Sequence, residues 1–127
     1  MRERHTENAP QSIGSFSQAI EDGNRIYVSG QGPIDPASGE RIEGDVAAQT
    51  ALTLANVDAI LQAAGCSLDD AVKTTVFVRD MDDYDALNEL YGKYLSEPYP
   101  ARSAVEIVRL PVDIDVEVEA IATAANR

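Results

Sequence analysis

The chain is 127 residues long, with 22 acidic residues against 10 basic ones and a formal net charge of −12. This length supports one domain whose core needs no staple, and an apolar content of 44% argues against disorder. A single cysteine (Cys66) excludes an internal disulfide, a single histidine (His5) leaves no zinc set, and the acid excess argues against nucleic acid or an anionic membrane as main partner.

The opening residues, Met1 to Pro10, lack the apolar stretch of a secretory leader, and no apolar run approaches the ~18 residues of a spanning helix. The expectation is a soluble, reduced, cytoplasmic protein. The first twelve residues read as a loose arm. Ser15 to Glu21 and Arg25 to Gly30 read as strands joined by Asp22-Gly23-Asn24, because an Asp-Gly pair supplies the positive φ angles of a tight hairpin. Gly32 to Gly44, punctuated by Pro33, Pro36 and Gly39, reads as a long loop of the kind that carries function.

Asp45 is placed to cap a helix running to about Ala64. Its stripe is Ala51, Leu54, Val57, Leu61 and Ala64, and Gly65 is its stop. Ala71 to Arg79 alternates as a strand, with Val72, Thr74, Val76 and Val78 on one face and Lys73, Thr75, Phe77 and Arg79 on the other. Asp80 or Asp82 opens a second helix to about Leu95, striped by Tyr84, Leu87, Tyr91 and Tyr94, and Pro98 and Pro100 prevent its continuation. Arg102 to Leu110 is a strand with Val105 and Ile107 facing one way and Arg102, Ala104 and Glu106 the other. Ile114 to Thr123 is the last strand, its aliphatic face opposed by Asp115, Glu117, Glu119 and Ile121. The order β-β-α-β-α-β-β implies an α+β sandwich, a sheet with both helices on one face.

If the aliphatic strand faces meet the helices, the other face carries Ser29, Arg102, Glu117 and Glu119 together. Such a face belongs to solvent, to a wet cavity or to a partner subunit. Arg102, where the Tyr99-Pro100-Ala101 turn meets a strand, suits bidentate capture of a carboxylate; the alternative is a salt bridge to Glu117 or Glu119. Glu117 is a candidate general acid/base acting on water, or else a solvated strand carboxylate. Asn88 interrupts the stripe of the second helix, either bonding nearby backbone or turning toward a pocket, whereas Asn56 reads as structural. Cys66 lacks an activating neighbour and reads as a partly buried structural thiol. Ser29 has no histidine to activate it. Twelve of the acids are Asp and two of the bases are Lys, which is either plain solubility or adaptation to high salt.

These segments together resemble the RidA (YjgF/YER057c/UK114) family nearly end to end. The resemblance is carried by Ile13-Gly14-Ser15-Phe16-Ser17-Gln18-Ala19, Val28-Ser29-Gly30-Gln31, Pro33-Ile34-Asp35-Pro36 and Lys73-Thr74-Thr75-Val76-Phe77-Val78. It continues in Asn88-Glu89-Leu90-Tyr91, Pro100-Ala101-Arg102-Ser103, Leu110-Pro111 and Val116-Glu117-Val118-Glu119-Ala120. It implies a chorismate-mutase-like fold: a mixed sheet with two helices on one face, three chains closing into a barrel, and ligand clefts between subunits. The implied activity is hydrolysis of reactive 2-imino acids (2-iminobutanoate and 2-iminopropanoate, from enamines such as 2-aminoacrylate) to 2-oxo acids and ammonia, with no metal or organic cofactor.

By the same resemblance, Arg102 clamps the substrate carboxylate, Glu117 orients or activates water, and Ser29, Gly30 and Asn88 line the pocket. Phe16 stands where the family has a tyrosine covering the substrate, and Ala104 where it often has a cysteine. One arginine and one glutamate are a sufficient kit, because an imine carbon is already electrophilic and needs chiefly positioning and proton management. Two alternatives stand beside this reading: an endoribonuclease acting as a translation inhibitor, and a non-catalytic binder of 2-oxo acids or of a partner protein.

Overall fold

The structure, a computed structural model, describes residues 1–124; the last three residues of the domain expected over 1–127 lie outside the described residues. Six strands form one mixed sheet: β1 (Arg2–Arg4), β2 (Ala19–Asp22), β3 (Arg25–Gln31), β4 (Ala71–Val78), β5 (Ala101–Glu106) and β6 (Val116–Thr123). Their order across the sheet is β1-β2-β3-β6-β4-β5, antiparallel except for the parallel pair β4–β5. The α+β expectation holds, with helices α1 (Val46–Ala63) and α2 (Tyr84–Tyr94) against one face.

The helices form where the sequence signals them. Asp45 caps α1, its carboxylate accepting the Ala48 N–H at 2.9 Å, and Gly65 at φ +80° lets the chain leave. Leu54, Val57, Ile60 and Leu61 are fully buried against Ile26, Val28, Val118, Ala120 and Ala122. Among the buried polar side chains of α1, Asn56 donates to the Gly32 and Ile34 carbonyls at 3.0 and 2.9 Å. It ties the long loop to α1, the structural role expected of it. Before α2, Asp80 caps a 3-10 turn (Met81–Asp83) rather than the helix itself, which starts only at Tyr84.

Four expectations need correction. The first twelve residues are not a loose arm: Arg2–Arg4 pair with β2, Arg4 bridges Glu21 at 2.8 Å, and Ala9 is buried. Gln18 is responsible, its buried side chain accepting from Thr6 N–H and donating to the Thr6 and Pro10 carbonyls at 3.0 and 2.8 Å. The strand expected from Ser15 begins at Ala19, so Phe16 lies in the preceding loop. Val72 is 41% exposed, because the β4–β6 register slips between Ala71 and Lys73 and carries it out of the buried row.

The fourth correction concerns β5. Arg102 aligns with Thr74 and Ala104 with Val76, both of which face the helices, so Arg102 and Ala104 face the helices too. Val105, expected inward, is 42% exposed on the far face, and the strand ends at Glu106 instead of Leu110. A parallel edge strand takes its phase from its neighbour, and the isolated pattern Arg-Ser-Ala-Val-Glu-Ile does not reveal that phase.

Candidate functional site

Two clusters hold the candidate residues, one on each side of the sheet. The first is built by α2 and β5. Tyr84, Asn88 and Tyr91 fall on one side of α2 at the i, i+4, i+7 spacing. Arg102 Nη2 donates to the Tyr84 hydroxyl at 2.6 Å and to Asn88 Oδ1 at 2.8 Å. The guanidinium carbon lies 4.6 Å from the centre of the Tyr91 ring and 5.6 Å from that of Tyr84. Tyr91 is itself fixed, its hydroxyl sharing a 2.7 Å hydrogen bond with Thr74 in the core. Burial pushes the Tyr91 hydroxyl upward in pKa, opposed by the Thr74 hydrogen bond and the Arg102 charge.

Arg102 thus sits on a π floor with two neutral acceptors and no carboxylate partner among the described residues. Elsewhere Arg4, Arg41 and Arg79 each pair with acids, Arg79 reaching Asp113 at 2.6 Å. A cation held by neutral groups in a chain of net charge −12 is preorganised for an incoming anion. The salt bridge to Glu117 or Glu119 left open by the sequence does not form. Asn88, exposed rather than buried, turns to Arg102 instead of backbone. Tyr84 and Tyr91 were read only as stripe residues; the signal available was Tyr-x3-Asn-x2-Tyr preceding an arginine in the next strand.

The second cluster is built by β3, β6 and the loop before β2. Between Val28 and Gln31 the β3–β6 register shifts, and this bulge brings Gly30 against Glu117. A methyl group at Gly30 would lie 2.6 Å from Glu117 Cδ, so only glycine leaves that carboxylate its room. Ser29 donates its hydroxyl proton to the Ser17 carbonyl at 2.6 Å and its N–H to the Gln18 carbonyl at 2.9 Å. It therefore tethers the Phe16 loop to the bulge and is not free as a nucleophile. Phe16 is 51% exposed, its ring beside Gly14. Glu117 is half-buried and makes no hydrogen bond among the described residues; burial first, then the neighbouring Glu119 charge, raises its pKa above the ordinary 4.5. That places a proton acceptor and donor nearer neutrality than a free glutamate.

Within one chain these clusters are averted. Arg102 shares the helix-side row with Thr74, whereas Glu117 aligns with Phe77 on the far face. The polar sheet face carrying both residues, expected from alternation, does not exist; Ser29, Glu117 and Glu119 share it without Arg102. The far face also presents Tyr27, Thr75, Phe77, Val105 and Ile121, with a hollow of about 150 Å³ between Tyr27, Lys73 and Glu119. A larger groove of about 630 Å³ lies behind α1, lined by Thr6, Asn8, Asp58, Gln62 and Tyr94. It contains none of the candidate residues, and its Asp58 already accepts from Gln62 and the Leu68 N–H. Cys66 is buried with its thiol toward the Thr123 carbonyl, the structural role expected of it. No described helix is long and apolar enough to cross a membrane.

An α+β sandwich with one anchored arginine at a sheet edge and one glutamate beneath a glycine bulge defines the class of fold. The family described as Endoribonuclease L-PSP matches residues 6–124. The 2-iminobutanoate/2-iminopropanoate deaminase of Escherichia coli K12 is 49% identical over 120 residues, 92% of this chain and 93% of that protein. The crystal structure of RidA from the Antarctic bacterium Psychrobacter sp. PAMC 21119 superposes with a TM-score of 0.93 at 43% identity, covering 97% of this chain and 99% of that one. Escherichia coli TdcF with bound serine does so at 0.91 and 41% identity, covering 97% and 98%. The chain belongs to the RidA/YjgF family.

Proposed function

We propose that this protein is a 2-iminobutanoate/2-iminopropanoate deaminase, hydrolysing small 2-imino acids to 2-oxo acids and ammonia. The observation that carries the reading is the Arg102 guanidinium, fixed by Tyr84, Asn88 and Tyr91 with no carboxylate of its own. The likeness to the Escherichia coli deaminase and to a relative with bound serine, itself a small amino-acid carboxylate, supports it. Because Arg102 and Glu117 occupy opposite faces of one chain, the reading requires a second copy: the far face of one protomer, bearing Glu117, closes on the Arg102 edge of its neighbour. A homotrimer with clefts at its seams satisfies this, and the apolar share of the far face (Tyr27, Phe77, Val105, Ile121) suits burial between copies.

In that cleft Arg102 holds the carboxylate of the iminium acid. Glu117 accepts a proton from a water molecule as its oxygen adds to the iminium carbon. The resulting tetrahedral amino alcohol receives that proton on nitrogen, the C–N bond breaks to release ammonia, and the C–OH proton passes by way of the freed Glu117 carboxylate to that ammonia as the 2-oxo acid forms. Water enters, ammonium departs, and no electrons change hands, so no cofactor is called for. Glu117, with its raised pKa, suits both halves of this shuttle. Phe16, Ser29 and Gly30 enclose the Glu117 side, and Asn88 the Arg102 side. The substrates arise where dehydratases act on serine and threonine, which assigns the protein to the cytoplasm. RNA is a poor fit to a chain of net charge −12.

The test couples a threonine dehydratase with threonine or serine and follows the decay of the released imine. The wild-type protein accelerates the decay, and Arg102→Ala, folded by circular dichroism, loses that acceleration on the order of a thousandfold. A wild-type protein that leaves the decay unaccelerated, or RNA cleavage that tracks Arg102, overturns the reading, and full activity in Arg102→Ala overturns the site assignment.

A further inference from the structure

A guanidinium has five N–H donors, and both of its forks for a carboxylate share Nη2: one edge is Nη1 with Nη2, the other Nε with Nη2. Here both Nη2 protons are spent within the chain, one on Tyr84 and one on Asn88, so each edge of the fork is half-occupied. The Tyr84 hydroxyl accepts from Arg102 and has no acceptor for its own proton among the described residues. It is half-buried beside the guanidinium, 2.6 Å from Nη2. Whichever edge Tyr84 occupies, the remaining nitrogen of that edge has an open N–H beside the unspent O–H.

We propose that Tyr84 is a substrate-binding residue: its hydroxyl donates to one carboxylate oxygen while Nη1 or Nε of Arg102 donates to the other, forming a composite fork. This rests on the deaminase reading above and specifies how that carboxylate is held. Asn88, an acceptor toward Nη2, keeps the guanidinium from turning, and Tyr91 supports its face. The phenol makes the clamp wider by one oxygen than an arginine fork alone, which selects for a planar 2-imino or 2-oxo carboxylate lying along the Tyr84–Arg102 edge.

Two experiments test it on the full-length protein. In the dehydratase-coupled assay, Tyr84→Phe keeps the ring and raises KM for 2-iminobutanoate about tenfold, the scale of one hydrogen bond to a charged group, while kcat changes less than about twofold. An unchanged or lowered KM overturns the proposal, because it makes the hydroxyl a bystander or a placeholder that substrate displaces. A crystal structure with the product 2-oxobutanoate shows Tyr84 Oη within about 3 Å of a carboxylate oxygen. A carboxylate seated on an Nη2 fork with Tyr84 turned aside also overturns the proposal, leaving the deaminase reading intact. A 2-oxobutanoate bound away from Arg102, with turnover surviving Arg102→Ala, removes this proposal and the Arg102 site, whereas a wild-type protein with no imine turnover removes the deaminase reading and this proposal together.

Discussion

Around Arg102 the chain supplies two acceptors, an aromatic floor, and a threonine beneath that floor. Around Glu117 the chain supplies a glycine bulge and a second acid, and no hydrogen-bond donor among the described residues. On the proposed reading the first half is an anion receptor assembled before substrate arrives. The second is a half-buried carboxylate with a raised pKa, on a face where Tyr27 and Val105 remain 45% and 42% exposed. Preorganisation and, on the proposed reading, reactivity are therefore built on separate faces of the sheet. The arginine must be immobile before substrate arrives, so the fold completes its shell in cis. On the proposed reading the glutamate keeps a labile proton, which suits its lack of donors among the described residues, and a neighbouring copy would close the space.

The two halves can be separated genetically. Arg102→Ala and Glu117→Gln protomers, each with activity near zero alone, are unfolded together and refolded as mixed oligomers. If each site takes its arginine from one copy and its glutamate from the next, about a quarter of the sites regain both groups, so activity returns from near zero to about a quarter of wild type. A site contained within one chain regains nothing.

Glu117→Gln alone lowers kcat on the order of a hundredfold, the scale of general acid/base help, with KM little changed. Its effect on stability has the opposite sign. Burial raises this carboxyl above 4.5, so the folded protein binds the proton more tightly than the unfolded chain. The stability it contributes is present below pH 4.5 and is lost as pH rises through the elevated value. Glutamine therefore raises Tm at neutral pH and leaves it nearly unchanged below pH 4.5, which scanning calorimetry at the two pH values reads directly.

Most of the architecture was legible because its signals are local. Asp45, Gly65, the Asp22-Gly23 turn and the Leu54–Leu61 stripe each act within a few residues. The facing of β5 was not legible, since Val105 and Ile107 look inward until the parallel register with β4 is known. The N-terminal strand was missed for a similar reason. Arg2-Glu3-Arg4 carries no strand pattern and is held by β2 and by the Arg4–Glu21 ion pair, from partners well over a dozen residues along the chain. Each candidate residue was found as a residue type, but the grouping failed, because alternation within a strand does not say which face an edge strand shares with its neighbour. Tyr84 and Tyr91 escaped because an aromatic stripe on a helix reads as core, which Tyr91 also is.

Gly30 sharpens the glutamate side. Its φ is not among the positive ones, so alanine is free of backbone strain, and the cost falls on the Glu117 side chain that must move. Gly30→Ala lowers kcat about tenfold or more with little change in Tm, because a displaced base loses reach while the core stays packed. A variant as active as wild type shows that Glu117 works from another rotamer.

The smallest effect tests the arginine side from beneath. Thr74→Val leaves the Tyr91 hydroxyl buried without a partner, at a cost of about 1–3 kcal/mol in stability, and lets the ring shift under Arg102. The expected loss in kcat/KM is a few-fold, carried by KM. Adding Tyr91→Phe removes the orphaned hydroxyl along with its missing partner, so the double variant recovers most of the lost stability. If KM recovers with it, the ring alone supports the guanidinium. If Tm recovers while KM stays high, the Thr74 hydrogen bond sets where that ring lies, and the floor beneath Arg102 is positioned from the core outward.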